Sequence, residues 1–473
     1  MSADSADASA NGTALATTLA QFAYGLRRDD IAEPAAAHAS MLLLDAVGCA
    51  LAGWAAEETP QVLRAARVLG GPGTSTIIGD DGTASLISSV LANAYLTTAV
   101  TACDVYTPAH CHLTPEVIPA ALAVGEAEHA SGPALLTAVT AGLEVGSRLL
   151  RAIDYAEFRR RGWHAPGVIG PVGAAIAAGL LLGLDAPRLR TAMSLAVSQS
   201  AGTFAAWPTT AVKFHQARGA VAGLLAARLA AEGFTASTEP FLAPDGGLFA
   251  SYSPGDPELA VAGLGRSWEL EQISVRLWPG ATPVQALLTA LLGSGRQWPA
   301  AAELSAVQIC VPPATYEAHR HLAHPAGTFE ALLSFHYVAV MSLLEGRFDI
   351  DLADPAHCTD PDTATFIDQR VVFVADPAVP RGGIRISLTT HGGGTVGLVQ
   401  EHALGTPQNP AARAQVEGKF LRAASRRLGS APSQELLTDL NGLDRVADCA
   451  ELIRSSRQVS SGHAGAAHPA TTL

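Results

Sequence analysis

The sequence predicts a mainly α protein that has a large all-helical bundle domain and a smaller α+β domain. Ala-rich apolar stretches separated by Gly, Pro, Asp or Ser recur from Leu15 to about Leu264, and short β-branched segments begin near Glu269. The 473 residues are 48% hydrophobic and only 15% charged, whereas the usual charged share is about a quarter. This length indicates two folded units, and this composition indicates an unusually large buried surface.

The pattern divides the chain into five parts. Residues 15–268 form the predicted helical domain, residues 269–404 the α+β domain, and residues 405–457 the C-terminal helices, which we expect to rejoin the helical domain. The small polar residues of 1–14 and the Ser, Gly, Ala and His residues of 458–473 predict disordered tails.

The helical domain is expected to be a multi-layer bundle, because helices that are apolar nearly all round belong inside one. Its predicted helices are Ala35–Trp54, Ser85–Thr101, Val117–Ala130, Ala134–Ile153, Gly173–Leu184, Leu189–Gly202 and Gly219–Gly233. The uncharged stretch Gly167–Leu184 approaches the roughly 18 residues of a membrane-spanning helix. Its five glycines and Pro171 favour instead a loop that leads into a buried helix.

The α+β domain shows the partial alternation of strands. The predicted strands are Gln272–Leu277, Ala306–Val311, Arg370–Val374, Ile384–Thr390 and Thr395–Glu401. Three consecutive glycines separate the last two, which therefore predict a hairpin. The remaining predicted helices are Val284–Leu292, Thr328–Leu344, Ala411–Arg427 and Ser433–Leu443.

The charge and the cysteines argue against several classes of protein. The net charge is −13 without a basic stripe, so we expect neither a nucleic acid nor a membrane as partner. The six cysteines lack CxxC spacing, so we expect no disulfide framework and a cytoplasmic location. The glycine-rich stretches fit neither a phosphate loop nor an oxyanion hole with a nucleophile elbow, so no nucleotide cofactor is predicted.

The segment Cys103–His112 concentrates polar chemistry between two apolar helices. Its acid, hydroxyl, imidazoles and thiols allow three interpretations: a zinc site, a polar loop with capping residues, or a loop of general acid and base groups. The chain offers no second pair of ligands at the usual spacing. The predicted site therefore contains no metal.

Two further polar segments border very apolar helices. His164 precedes one of them, and Lys213 and His215 lie where another Ala-rich helix begins. Burying such side chains alone is costly, so one interpretation is that they are solvated or paired. The other is that they meet at a cavity and bind a polyanionic substrate. The histidines of the segment His319–His324 are expected to be solvated on a surface loop.

At these segments the chain resembles the MmgE/PrpD family of 2-methylcitrate dehydratases and cis-aconitate decarboxylases. The resemblance covers Leu15 to about Leu452. The segments that carry it are Asp104–His112 with Val117–Leu122, Gly162–His164, the Lys213 segment, and Ser334–Ala339. It implies a cofactor-free lyase, usually a homodimer, whose site lies between a large helical domain and a smaller α+β lid.

The candidate site residues come from this resemblance and from the polar segments themselves. The catalytic candidates are Asp104, His112, His164, Lys213 and Tyr316, and the substrate-binding candidates are Thr107, His110, His215 and Arg276. By the resemblance, Arg276 stands where the decarboxylases carry a lysine. Many members carry histidines after the first lid strand, whereas this chain has Ala281 and Gln285 there.

These residues predict general acid–base catalysis on a small di- or tricarboxylate in a cation-lined cleft. The cations would offset the desolvation of the carboxylates, and an imidazole would move the proton. The same residues serve a decarboxylase or a dehydratase. The changed lid positions keep two alternatives open: an isomerase, epimerase or biosynthetic enzyme for another carboxylate, and a catalytically silent binding relative.

Overall fold

The computed structural model describes residues 15–207 and 209–458. The predicted tails 1–14 and 458–473 therefore lie outside the described residues, except for Gln458. Helices dominate the described chain, and its largest sheet has four strands. The predicted mainly α fold class with a smaller α+β domain is confirmed.

The helical bundle is built around one central helix. Its helices are α1 (15–25), α2 (Glu33–Ala52), α3 (Thr59–Gly70), α4 (Leu86–Ala99), α5 (Thr114–Ala127), α6 (Gly132–Ala152), α7 (Tyr155–Arg160), α8 (Ala165–Leu181), α9 (Ala186–Ser198), α10 (Ala211–Ala231), α11 (Leu248–Ser251) and α12 (Glu258–Val261), with a small sheet of β1 (Ser75–Thr76) and β2 (Thr83–Ala84). Helices α5, α6, α9 and α10 pack on α8. The segment Glu33–Ala55 has the length and composition of a membrane-spanning helix, and most of it is buried in this bundle.

Helix α8 begins earlier than the sequence predicts. The stretch expected to be a loop is helical from Ala165, with Pro171 inside the helix. Proline has no N–H to donate to the carbonyl four residues earlier. That carbonyl, Gly167 O, accepts instead from Ala201 N at 3.1 Å and from Arg218 Nη2 at 2.7 Å. These two donors offset the cost of an interior proline, so the prediction of a loop is wrong.

The predicted strand Gln272–Leu277 is shorter than expected. Only Ile273–Ser274 pairs, as β4, and its antiparallel partner is β3 (Val105–Tyr106) of the polar segment. This pair holds the polar segment against the start of the α+β domain, beside the cavity between the two domains.

A four-stranded sheet is the base of the α+β domain. Its strands are β5 (Leu304–Val311), β6 (Val371–Ala375), β7 (Ile384–Thr390) and β8 (Thr395–Gln400). They lie in the order β6–β5–β7–β8, with β5 and β6 parallel and the other pairs antiparallel, so the hairpin of β7 and β8 is confirmed. The helices are α13 (Gln285–Leu288), α14 (Pro313–His319), α15 (Thr328–Ala331), α16 (Phe335–Glu345), α17 (Pro355–Cys358) and α18 (Pro361–Arg370).

The predicted helix Thr328–Leu344 is two helices, α15 and α16. Helix α15 ends at Ala331, and the Ser334 hydroxyl accepts a hydrogen bond from Tyr337 N where α16 begins. A serine in this position satisfies an N–H group that the first turn of a helix leaves free. The prediction of one continuous helix is therefore wrong.

The C-terminal helices pack on the helical bundle. Helix α19 (Arg413–Leu428) lies along α2, α20 (Ser430–Asn441) packs on α19, and α21 (Cys449–Ser455) contacts α5. Phe420 of α19 is buried against Gly48 of α2, where an added Cβ would lie 3.1 Å from the ring. The glycine therefore allows the close approach of the two helices.

Candidate active site

The Asp104 carboxylate anchors the polar segment Cys103–His112 to the bundle. Its oxygens accept hydrogen bonds from Leu113 N at 3.0 Å, from Thr114 N at 3.3 Å and from Thr114 Oγ1 at 2.5 Å. These donors lie at the start of α5, so the carboxylate satisfies N–H groups that the helix itself leaves free. Burial raises the pKa of Asp104 to about 6 in spite of these bonds.

Asp104→Ala is expected to lower the free energy of unfolding by about 1–3 kcal/mol, because buried donors at the start of α5 lose their acceptor. Urea unfolding measures this loss. The matched control is Asp154→Ala, which removes an exposed cap from α7 and should cost no more than about 1 kcal/mol. An Asp104→Ala variant as stable as the wild type would show that the carboxylate is not the anchor.

The main chain of Asp104 orients the ring of His112. His112 Nδ1 lies 2.5 Å from the Asp104 carbonyl oxygen, which can only accept, so Nδ1 carries the hydrogen. In the neutral ring the lone pair is then on Nε2, the nitrogen that can take a proton. Burial and the charge of Arg276 lower the pKa of His112 to about 4, so the ring is neutral at pH 7.

Lys213 is a buried cation that makes no ion pair within residues 15–207 and 209–458. It is 4% exposed, and its Nζ donates to Thr98 O at 2.7 Å and to Thr101 Oγ1 at 2.5 Å, both neutral acceptors. Burial lowers the pKa of Lys213 to about 7. An anion near Nζ would stabilise the charged form of this side chain.

Arg276 is a second buried cation. It is also 4% exposed, and it makes no ion pair with the carboxylates that the structure describes. Its Nε donates to Cys103 O at 2.6 Å, its Nη1 to Gly280 O at 3.0 Å, and its Nη2 to Cys103 Sγ at 3.4 Å. A guanidinium has five N–H donors, and these three bonds use three of them.

A hydrogen bond joins two histidines beside these cations. His164 Nδ1 lies 2.9 Å from His215 Nδ1, so one of these nitrogens donates and the other accepts. Burial and the neighbouring basic side chains hold the pKa of His164 well below its usual range, and burial also lowers the pKa of His215. Both rings are therefore neutral at pH 7, and one of them carries its hydrogen on Nδ1 and the other on Nε2.

A cavity of about 550 Å³ lies between the helical and α+β domains. The candidate residues on its wall are Thr107, His110 and Arg276, and the α+β domain adds Gln285, His319 and Arg381. His110 Nε2 accepts a hydrogen bond from Arg381 Nη2 at 2.9 Å, which joins the two domains at this cavity. The Thr107 hydroxyl lies 2.6 Å from the Ser274 hydroxyl, next to the β3–β4 pair.

Four of the predicted site residues that the structure brings together form what we call the basic cluster: His112, His164, Lys213 and Arg276. Lys213 contributes to the low pKa of both histidines, and Arg276 to that of His112 and Lys213, so these groups lie within reach of one another's charges. Tyr316 lies elsewhere. Its ring is partly buried and packs on Phe373, with 5.3 Å between centroids, against the core of the α+β domain.

The segment His319–His324 differs from its prediction at one position. His319 is 6% exposed, and its Nδ1 lies 2.9 Å from Leu333 O, so the expectation of a solvated side chain is wrong for this residue. His321 and His324 are exposed as expected. A carbonyl from a later turn of the chain covers His319, and such a partner leaves no local sequence pattern.

The polar segment can be tested against the metal interpretation. The ligand atoms of Cys103, Asp104 and His112 lie within 4.8 Å of one another. The Asp104 oxygens are engaged at α5, however, and His112 Nδ1 bonds a carbonyl. A zinc ion would compete with the donors of α5 for the Asp104 oxygens, and His112 could bind it only through Nε2 without losing the bond to the carbonyl. The group supplies three protein ligands at most, and the experiment with a chelator described below tests the metal interpretation.

The structure defines a class: a two-domain, mainly α protein with buried basic groups beside the cavity between its domains. The family model of the MmgE/PrpD N-terminal domain matches residues 17–260, and that of the MmgE/PrpD C-terminal domain matches residues 278–441. The chain belongs to the MmgE/PrpD family. The predicted family is therefore confirmed, and with it a likeness to carboxy-lyases and dehydratases.

Curated relatives resemble the chain over most of its length. The cis-aconitate decarboxylase-like protein oryM of Aspergillus oryzae is 25% identical over 458 residues, which cover 90% of this chain and 94% of the relative. Cis-aconitate decarboxylase of Mus musculus is 25% identical over 452 residues, 91% of each chain. The Homo sapiens enzyme of that name is 26% identical over 364 residues, 74% of this chain and 75% of its own.

Proposed function

We propose that the protein is a cofactor-independent lyase that acts on a small di- or tricarboxylate. The observation that carries this proposal is a pair of buried cations, Lys213 and Arg276, that make no ion pair with any residue in the described part of the chain. Arg276 also lines the cavity between the domains. A buried charge without a counter-ion is costly, and an anionic substrate supplies the missing negative charge. Relatives named cis-aconitate decarboxylase favour a carboxylate as that anion.

The basic cluster supports acid–base chemistry with two separate groups. In a dehydration, His112 Nε2 takes the proton from carbon, and the charge that develops beside the substrate carboxylate is stabilised by Lys213 and Arg276. Lys213, with a pKa of about 7, then gives a proton to the leaving hydroxyl. In a decarboxylation the substrate loses CO2, and Lys213 protonates the resulting carbanion.

An isomerase or epimerase for another carboxylate is the second candidate. The observation that favours it is the changed pair of lid positions, Ala281 and Gln285, both of which are buried. Removing a proton from one face of a carbon and returning one to the other face needs only a base and an acid, which His112 and Lys213 provide.

A proton NMR time course with cis-aconitate, 2-methylcitrate and iminodisuccinate separates the candidates. Loss of CO2 or water identifies a lyase, and a change of configuration without loss identifies an isomerase or epimerase. Binding without conversion identifies a catalytically silent relative. Chelator added to the same tube tests the metal interpretation, because a metal-dependent reaction would stop. If none of the compounds is bound or converted, the proposed substrate class is wrong.

The affinity for a tricarboxylate is expected to fall as the pH rises above about 7. The pKa of Lys213 is about 7 in the free protein, and a bound anion raises it, so binding takes up a proton. The free lysine is half charged at pH 7, almost fully charged one pH unit lower and mostly neutral one unit higher, so binding weakens by up to tenfold per pH unit above pH 7. Calorimetric titration at pH 6, 7 and 8 checks the sign. An affinity that rises with pH would contradict the role of Lys213.

The homodimer and the cytoplasmic location stay predictions, as does the expectation of neither a nucleic-acid nor a membrane partner. Size-exclusion chromatography with light scattering tests the first, and the predicted result is twice the mass of one chain.

A further inference from the structure

The amide of Gln285 has a fixed orientation that leaves its oxygen without a partner. Gln285 is 2% exposed, and its Nε2 donates to Trp278 O at 3.1 Å and to Gly280 O at 3.0 Å. Carbonyl oxygens can only accept, so the nitrogen has to face them and the oxygen has to face away. Gln285 Oε1 is buried and accepts no hydrogen bond from the residues that the structure describes.

The side chain that carries this orphaned acceptor shares a hydrogen-bond partner with the cation that we assign to the substrate. Gly280 O accepts both from Gln285 Nε2 and from Arg276 Nη1, at 3.0 Å in each case, so one carbonyl joins the two side chains. Both residues line the cavity of about 550 Å³. A ligand whose carboxylate binds Arg276 therefore lies beside the Gln285 side chain.

We infer that Gln285 is a specificity-determining residue, which favours a ligand that carries a hydrogen-bond donor beside its carboxylates over one that carries carboxylates alone. The inference rests on the proposed function and deepens it. At neutral pH an all-carboxylate ligand has only acceptor oxygens, and an acceptor placed against Oε1 is repelled. A hydroxyl group donates to Oε1 and satisfies it, and the site gains selectivity because its buried polar group is otherwise left unpaired.

Citrate and tricarballylate are the matched probes, because they share three carboxylates and one carbon skeleton and differ in a single hydroxyl. Calorimetric titration gives the two dissociation constants. We expect the wild type to bind citrate at least tenfold more tightly. Gln285→Met keeps the length of the side chain and removes the amide oxygen. In this variant we expect the two dissociation constants to become about equal. The ratio of the two constants is the readout, since a general disturbance of the cavity weakens both ligands alike.

Gln408→Met is the control, because Gln408 lies on the same cavity and is exposed; it should keep the wild-type preference. A wild type that binds both probes equally would overturn the inference and leave the proposed function standing, as would a Gln285→Met variant that keeps the full preference. A wild type that binds neither probe at 10 mM would overturn the proposed substrate class and this inference together.

Discussion

Lys213→Met is expected to lower kcat/KM at least tenfold, or about 1.4 kcal/mol, while the melting temperature stays the same or rises. The wild-type side chain holds a buried charge beside neutral acceptors only. Methionine removes this charge and therefore stabilises the fold. The same change removes the cation that neutralises the substrate and donates the proton. Kinetics with the substrate identified by NMR, together with thermal unfolding at pH 7, measure the two effects.

Lys419→Met is the matched control for this prediction, because Lys419 is the other lysine buried in the described chain. Its Nζ lies 2.6 Å from Asp45 Oδ1 and also donates to Ala102 O at 2.7 Å. Its removal leaves Asp45 buried without its partner and should cost about 3–5 kcal/mol. If Lys213→Met destabilises the protein as much as Lys419→Met does, Lys213 is a structural cation and the catalytic assignment fails.

His112→Ala is expected to lower kcat by a factor of about 10² or more, since general bases commonly contribute 10²–10⁴, with little change in the affinity for a tricarboxylate. The ring is neutral at pH 7, so it contributes no charge to anion binding, and its Nε2 lone pair acts only in the proton transfer. Steady-state kinetics give kcat, and calorimetric titration gives the affinity.

His324→Ala is the control for His112→Ala. This histidine is exposed and pairs with Asp368 at 2.9 Å, so its removal should leave both constants unchanged. Wild-type kcat in His112→Ala, with the fold intact by circular dichroism, would remove His112 from the mechanism.

Local sequence patterns predicted the elements whose structure depends on neighbouring residues. The hairpin of β7 and β8 follows from alternation and three glycines, and its strands begin at the predicted residues Ile384 and Thr395. The first turns of helix α8 could not be predicted from the sequence, because the hydrogen bonds that satisfy Gly167 O come from residues later in the chain. Glycine and proline disfavour a helix in isolation, and only the tertiary donors show why this one tolerates them.

The sequence indicates the cations of the candidate site but not the residues that they contact. Lys213 is a candidate from the sequence because it is a cation near the start of an apolar helix. Arg276 is a candidate from the resemblance to the family. His110 and Arg381 are in contact although they lie 271 residues apart in the sequence. Local sequence spacing therefore cannot predict that Arg381 lines the site. The use of the Asp104 main chain, rather than its carboxylate, to orient His112 depends on backbone geometry. Such contacts become visible only when the chain is folded.

The most direct measurement compares tricarballylate binding to the wild type and to the double variant Lys213→Met/Arg276→Met at pH 6.5, by calorimetry. If the two buried side chains hold their charges for an anionic substrate, the wild type binds with uptake of a fraction of a proton, and the double variant, shown to be folded by circular dichroism, binds at least a hundredfold more weakly. Equal dissociation constants for the two proteins would contradict this account.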